Sequence, residues 1–173
     1  MEQLRLSEQQ KRLFADYQAF VNIVDGFSEE QFKQHIGEKW AVADVVQHLY
    51  LSARPVARLM AGSRDVLLQW GKPDGESRAY DAISLAYQQR LRMGVKAPEP
   101  FTPRPEDMQA DKRDIIERLV TTYQAIIEAL NNWTDQELDD YVIPHPALGK
   151  LTVREMIQFI SIHTQHHLRL LPK

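Results

Sequence analysis

The sequence contains no cysteine. That single absence removes disulfide scaffolds, thiolate zinc sites, iron–sulfur clusters and a cysteine nucleophile, and it fits a reducing compartment. Lys plus Arg number 21 against 24 Asp plus Glu, a net charge of −3. This balance lacks the basic footprint of a protein built for nucleic acid, and no nucleic-acid partner is expected from it. Apolar runs all end short of the ~18 residues that cross a bilayer. The opening residues, Met1-Glu2-Gln3-Leu4-Arg5-Leu6, run directly into a polar stretch, so no export signal is read there. A single cytoplasmic domain over 1–173 with no membrane partner is expected. With 43% hydrophobic and 26% charged residues, a chain of this length can bury one sizeable core.

The apolar residues recur at helical intervals. Leu13, Phe14, Tyr17, Phe20, Val21 and Val24 form a first stripe after Ser7, which has capping-box spacing to Gln10. Ser28 with Gln31 marks a short second helix. Val42, Val45, Val46, Leu49, Val56, Leu59 and Met60 form another long stripe that contains Pro55, and a kink or break is expected there. Residues 62–105 are looser, with short helices over 65–70 and 81–93 and an extended proline-rich connector over 98–105. A third long stripe runs from Ile115 to Leu130. Thr134 with Glu137 caps a short acidic turn, which reads as surface. Residues 144–149 read as a loop, and Thr152 with Glu155 opens a last helix reaching Leu170. No strand competes. The pattern predicts an all-α four-helix bundle with a long crossover after the second long helix and short extra helices.

Six histidines are present, and three crowd the last helix. His163 and His167 stand one turn apart, about 40° around the axis, on the inward stripe of Met156 and Ile160. Such a pair can chelate one metal, or it can be two buried histidines satisfied by hydrogen bonds. His166 is turned aside, toward solvent or a groove rim. His48, on the flank of the second long helix, can supply a third imidazole, giving three ligands and one open position, the catalytic rather than the structural zinc pattern. Asp44, one turn earlier, is the candidate carboxylate that would accept from the His48 ring and orient it; the plain alternative is a solvated residue favoured near a helix N-terminus. An all-imidazole set suits zinc, nickel, copper or iron, and disfavours calcium and magnesium. Glu38 and His145 stand near the expected mouth by loop position. Trp40, Trp70 and Trp133 read as core anchors, and Arg54, Arg58 and Arg64 as a solvated face or an anion-binding cluster.

Two spaced motifs resemble a known family. Trp40-x-x-x-Asp44-x-x-x-His48-Leu49 resembles the first signature of the DinB/YfiT-like superfamily. His145-Pro146-x-x-Gly149-x-x-Thr152, followed by His163-x-x-His166-His167-Leu168, resembles its second. The resemblance spans nearly the whole chain. It implies a four-helix bundle holding one divalent metal, zinc or nickel first, on His48, His163 and His167, with no departure at those positions. For activity it implies a metal-dependent enzyme acting on a small-molecule substrate. That enzyme is either a thiol S-transferase using a low-molecular-weight thiol cosubstrate or a metal-dependent hydrolase. The alternatives are a non-catalytic bundle with a structural or sensing metal, histidines with no metal, or a dimerisation module; a homodimer is compatible with either. The residues beyond the metal that would do chemistry are not identified by sequence.

Overall fold

A computed structural model describes residues 4–173, so Met1, Glu2 and Gln3, part of the stretch read for an export signal, lie outside it. Four long helices carry the bundle: α1 (Leu6–Asp25), α3 (Val42–Ala61), α5 (Lys112–Ala129) and α7 (Val153–Leu170). Three shorter ones, α2 (Glu29–Lys33), α4 (Tyr80–Arg92) and α6 (Asp135–Asp140), lie in the connections. The apolar stripes become one core. Leu13, Tyr17 and Phe20 of α1 pack with Val46, Leu49 and Met60 of α3, Leu119, Tyr123 and Ile126 of α5, and Met156 and Ile160 of α7. Around the bundle α3 packs on α5, α5 on α1 and α1 on α7, while α3 and α7 touch only sparsely. That loose seam is where the site lies.

Capping chemistry sets most helix starts. Ser28 with Gln31, Thr134 with Glu137 and Thr152 with Glu155 form the reciprocal boxes read from sequence. α1 is the exception. It begins two residues earlier than Ser7 would set, with Arg5 as its cap and Glu8 accepting the Arg5 backbone N–H at 2.8 Å. Pro55 does not split α3 into two helices, since one helix runs through it. The ring lies on an exposed face, and the packing of α3 against α5 holds the backbone where one hydrogen bond is missing.

The crossover from 62 to 111 is built from a 3₁₀ segment (Arg64–Trp70), α4, and two further 3₁₀ turns (Glu99–Phe101 and Pro105–Gln109). The proline-rich connector is thus partly turned rather than wholly extended. The expected loop at 144–149 is also corrected. Strands β1 (Val142–His145) and β2 (Gly149–Thr152) form an antiparallel hairpin, with His145 opposite Gly149. Gly149 has φ +74°, a conformation that favours glycine and lets this short loop close. Two prolines and four-residue strands leave too little alternation to read as sheet.

The hairpin, α4 and α6 cover α7, which is therefore buried on all sides from Val153 to Thr164. Its polar residues make this possible. Arg154, 3% exposed, donates to Leu4 O, Asp135 O and the carboxylates of Asp135 and Asp139. Asp135 and Asp139 thus anchor a buried cation rather than merely decorating the surface. Burial raises the Asp139 pKa, but the hydrogen bonds from Arg154 and Ser77 and the Arg154 charge outweigh it and hold it below the ordinary value. Glu155 accepts from the backbone and side chain of Arg78, and Gln158 donates to Arg78 O, fastening the crossover just before α4.

Candidate metal centre

The structure gathers His48 from α3 with His163 and His167 from α7. His48 Nε2 and His163 Nε2 are 3.0 Å apart, and His163 Nε2 and His167 Nε2 are 3.2 Å apart. The three ligand atoms all fall within 4.8 Å of one another. A tetrahedral ion bonded to imidazole nitrogens at about 2.0–2.1 Å requires neighbouring nitrogens about 3.3 Å apart, close to both short separations. Among the described residues this is the one such grouping of metal-ligating side chains.

Proton bookkeeping supports the fit. His48 Nδ1 lies 2.7 Å from Phe101 O. A carbonyl only accepts, so Nδ1 carries the proton and Nε2 presents a lone pair to the cluster. The two short contacts of His163 Nε2 cannot both be good two-centre hydrogen bonds, because one Nε2–H serves one acceptor well. A cation at the centre would satisfy all three nitrogens at once. The rings are also neutral at physiological pH. Burial lowers the His48 pKa, partly opposed by the Phe101 bond and assisted by the charge of His166. Burial, then repulsion from His167 and His48, holds His163 well below the ordinary value. His167 is pushed down to about 3, by burial first and by His48 and His166 next. Neutral imidazole is the ligating form.

Asp44 does not have the role expected of it. Its carboxylate accepts from Ala41 N at 2.8 Å, capping α3, and pairs with His35 at 2.7 Å. It is buried rather than solvated, and the place beside His48 Nδ1 belongs to the Phe101 carbonyl. Sequence reasoning missed Phe101 because a backbone acceptor in an irregular connector has no residue signature.

The cluster opens into a cavity of about 260 Å³. Its walls are largely apolar, and aromatic rings surround the cluster: Trp40 stands 4.9 Å from the His48 ring, Phe159 stacks on His163 at 5.1 Å, and Tyr87 meets His163 and His166 edge-on. Trp40 is 39% exposed, so it is a mouth residue and not a core anchor. Trp133 does anchor the core, donating its indole N–H to Met60 O at 3.0 Å. His166 lines the cavity from the side, as its rotation on the helix predicts. His145 lines it too, its pKa pushed down to about 4 by burial, whereas Glu38 is exposed and off the wall. Arg64 lies over Trp133 and pairs with Glu137 and Asn132 O, and Arg54 packs on Tyr50, so the arginines form no shared anion site.

No helix among the described residues is long and apolar enough to cross a membrane. Comparison with known proteins agrees with this architecture. The chain is 25% identical over 152 residues to the uncharacterized protein YuaE of Bacillus subtilis (strain 168), covering 85% of each. The crystal structure of TT2238, a four-helix bundle protein, superposes with TM-score 0.58 at 14% identity, over 95% of this chain and 96% of that one. The colibactin self-resistance protein ClbS, solved in complex with double-stranded DNA, superposes with TM-score 0.54 at 13% identity, over 96% and 94%. These two likenesses concern the fold. Because one bundle of this fold has been seen on DNA, the fold lends no support to the exclusion of nucleic acid drawn from net charge. The model of the DinB superfamily matches residues 12–171, and the chain belongs to that superfamily.

Proposed function

We propose that the protein is a metal-dependent enzyme that acts on a small molecule at a three-imidazole centre formed by His48, His163 and His167. The observation that carries this reading is the convergence of three neutral imidazoles on the wall of an enterable cavity, their ligand atoms within 4.8 Å of one another and two of the separations near the tetrahedral value. A structural site would be closed by a fourth protein ligand; among the described residues three side chains gather, and the fourth direction is left to the cavity. A bound zinc- or nickel-type ion would supply Lewis acidity, lowering the pKa of a thiol or water that reaches it.

The rest is done by the chain. Phe101 O fixes the tautomer and ring plane of His48. Phe159, stacked on His163, fixes that ring and keeps bulk water from it. Tyr123 donates to Thr164, itself bonded to Ile160 O, so the inner end of the cavity is stiff. Between the two chemistries, thiol transfer is better supported. No Asp or Glu lines the cavity to act as the carboxylate base of a hydrolase. A low-molecular-weight thiol needs no such base, since a metal ion makes the thiolate accessible at neutral pH. Trp40, Tyr87 and Phe159 suit an apolar electrophile.

The test is elemental analysis of untagged protein beside His48→Ala, His163→Ala and His166→Ala variants. Near-stoichiometric zinc or nickel should disappear in the first two and persist in the third. A wild type that neither carries nor takes up these ions would sink the proposal, as would equal loss in all three variants.

A further inference from the structure

His145 stands at the end of β1, held by the pairing of the hairpin opposite Gly149 and flanked by Pro144 and Pro146. Its Nδ1 lies 3.0 Å from the backbone nitrogens of both Ala147 and Leu148. Backbone N–H groups only donate, so Nδ1 must carry the lone pair, and the neutral ring has its proton on Nε2. This is the reverse of His48, whose Nδ1 faces a carbonyl. Two imidazoles on one cavity thus hold opposite tautomers, each imposed by the backbone: His48 offers a lone pair, His145 an N–H. The ring of His145 meets Phe159 at 4.2 Å, and Phe159 stacks on His163, so the donor lies one ring beyond the three-histidine cluster along the same wall. No protein acceptor takes that N–H among the described residues, although the turn fixes the ring that carries it.

We propose that the Nε2–H of His145 is a ligand-positioning donor that holds a carbonyl or carboxylate oxygen of a small, largely apolar molecule in this cavity. The proposal deepens the function argued above, resting on it only for the cavity being the substrate site. The wall chemistry sets the ligand class. Lys96 stands at the rim and no carboxylate lines the wall, so an anionic ligand finds a positive partner while an organic cation finds no counter-charge. Trp40, Tyr87 and Phe159 take its apolar body. In its fixed tautomer His145 cannot use Nε2 as a metal ligand, which separates its role from that of the three cluster histidines.

The probe is benzoate, a carboxylate on an apolar ring. Its affinity is measured by calorimetric titration for wild type, His145→Asn and His145→Gln, each metal-free and zinc-loaded, with zinc content determined in parallel. The Asn oxygen can still accept from Ala147 and Leu148 but no donor reaches the cavity; the Gln amide can put an N–H back near the Nε2 position. Long-range proton–nitrogen NMR of the wild-type ring reads the tautomer directly and needs no variant to fold. The expected results are an Nε2–H tautomer perturbed by benzoate, about tenfold or weaker binding in His145→Asn with zinc content unchanged, and partial recovery in His145→Gln. An Nδ1–H tautomer, no benzoate binding to wild type, or equal affinity in wild type and His145→Asn would overturn the proposal. Loss of zinc together with benzoate in His145→Asn would also overturn it, since His145 would then act through the cluster. A protein that takes up no zinc but keeps the tenfold difference supports this proposal while sinking the metal reading.

Discussion

Replacing His163 by leucine should separate the two jobs of a buried imidazole, packing and ligation. His163 is 6% exposed and sits at the hub of the cluster, 3.0 Å from one neighbouring Nε2 and 3.2 Å from the other. Without a cation, one of those contacts is poorly satisfied, so a leucine of similar bulk removes a compromised polar group and leaves the two remaining nitrogens facing the cavity. The metal-free variant should therefore match metal-free wild type to within about 1 kcal/mol. Zinc should then distinguish them sharply. An ion present at a hundred times its dissociation constant stabilises the folded state by about 2.7 kcal/mol, and competition from the unfolded chain is weak because it has no thiols. At roughly 2–4 °C per kcal/mol for a chain of this size, the wild-type midpoint rises by about 5–11 °C. His163→Leu should show no rise, and His166→Ala the full one. The assay is thermal unfolding at pH 7.5 with and without zinc. A leucine variant that keeps the zinc-induced rise would refute the ligand geometry, and one that collapses without metal would refute the claim that a His163 contact is poorly satisfied in the metal-free cluster.

The metal-free protein should lose stability as pH falls from about 6.5 toward 4. Unfolded histidines take up protons in this window, while His145 and His167, lowered by burial to about 4 and about 3, do not until the lower end or below it. Each such ring contributes up to about 1.4 kcal/mol per pH unit. Urea unfolding at several pH values should give a shallower slope for His145→Asn, and an unchanged slope would contradict the burial of that ring. Arg154→Leu should cost about 2–4 kcal/mol in urea unfolding at pH 7. It strands the carboxylates of Asp135 and Asp139 and the carbonyls of Leu4 and Asp135, although the partial exposure of those carboxylates softens the loss. A loss under 1 kcal/mol would mean that water replaces the guanidinium there.

Periodicity made the bundle legible because Leu13, Tyr17, Ile115, Leu119 and Met156 obey one helical spacing and face one core. Side-chain capping was legible for the same local reason at Ser28, Thr134 and Thr152. The i, i+4 pair of His163 and His167 placed two imidazoles on one face, and the spaced motifs added His48, which the fold brings to the same point. Other features depend on contacts far apart in sequence. The Phe101 carbonyl reaches His48 across 53 residues of crossover, and Arg154 reaches back 150 residues to Leu4. Trp40 looked like an anchor because tryptophan usually is one; only the open seam between α3 and α7 leaves it at a mouth. Asp44 was misread because its one-turn spacing from His48 describes a shared helix face, whereas its position near the start of α3 favours the backbone N–H of Ala41.

The polar chemistry of α7 argues that the cluster is a built site and not an accident of packing. A helix buried on every side over its first three turns must find partners for each polar group it carries, and this one largely does. Arg154 finds Asp135, Asp139 and two carbonyls; Glu155 finds Arg78 and its own capping residue; Thr164 finds Tyr123 and Ile160. At the end of this stretch that accounting stops: His163 and, one turn on, His167 point their Nε2 atoms at each other and at His48, with at best one shared proton among them. Leucine or methionine at these positions would cost less than three desolvated imidazoles. A fold that satisfies buried arginine and glutamate a few residues away has the means to satisfy histidines as well. Three imidazole nitrogens turned on one another at one point, beside a cavity large enough to admit a small molecule, are what a ligand-binding centre requires.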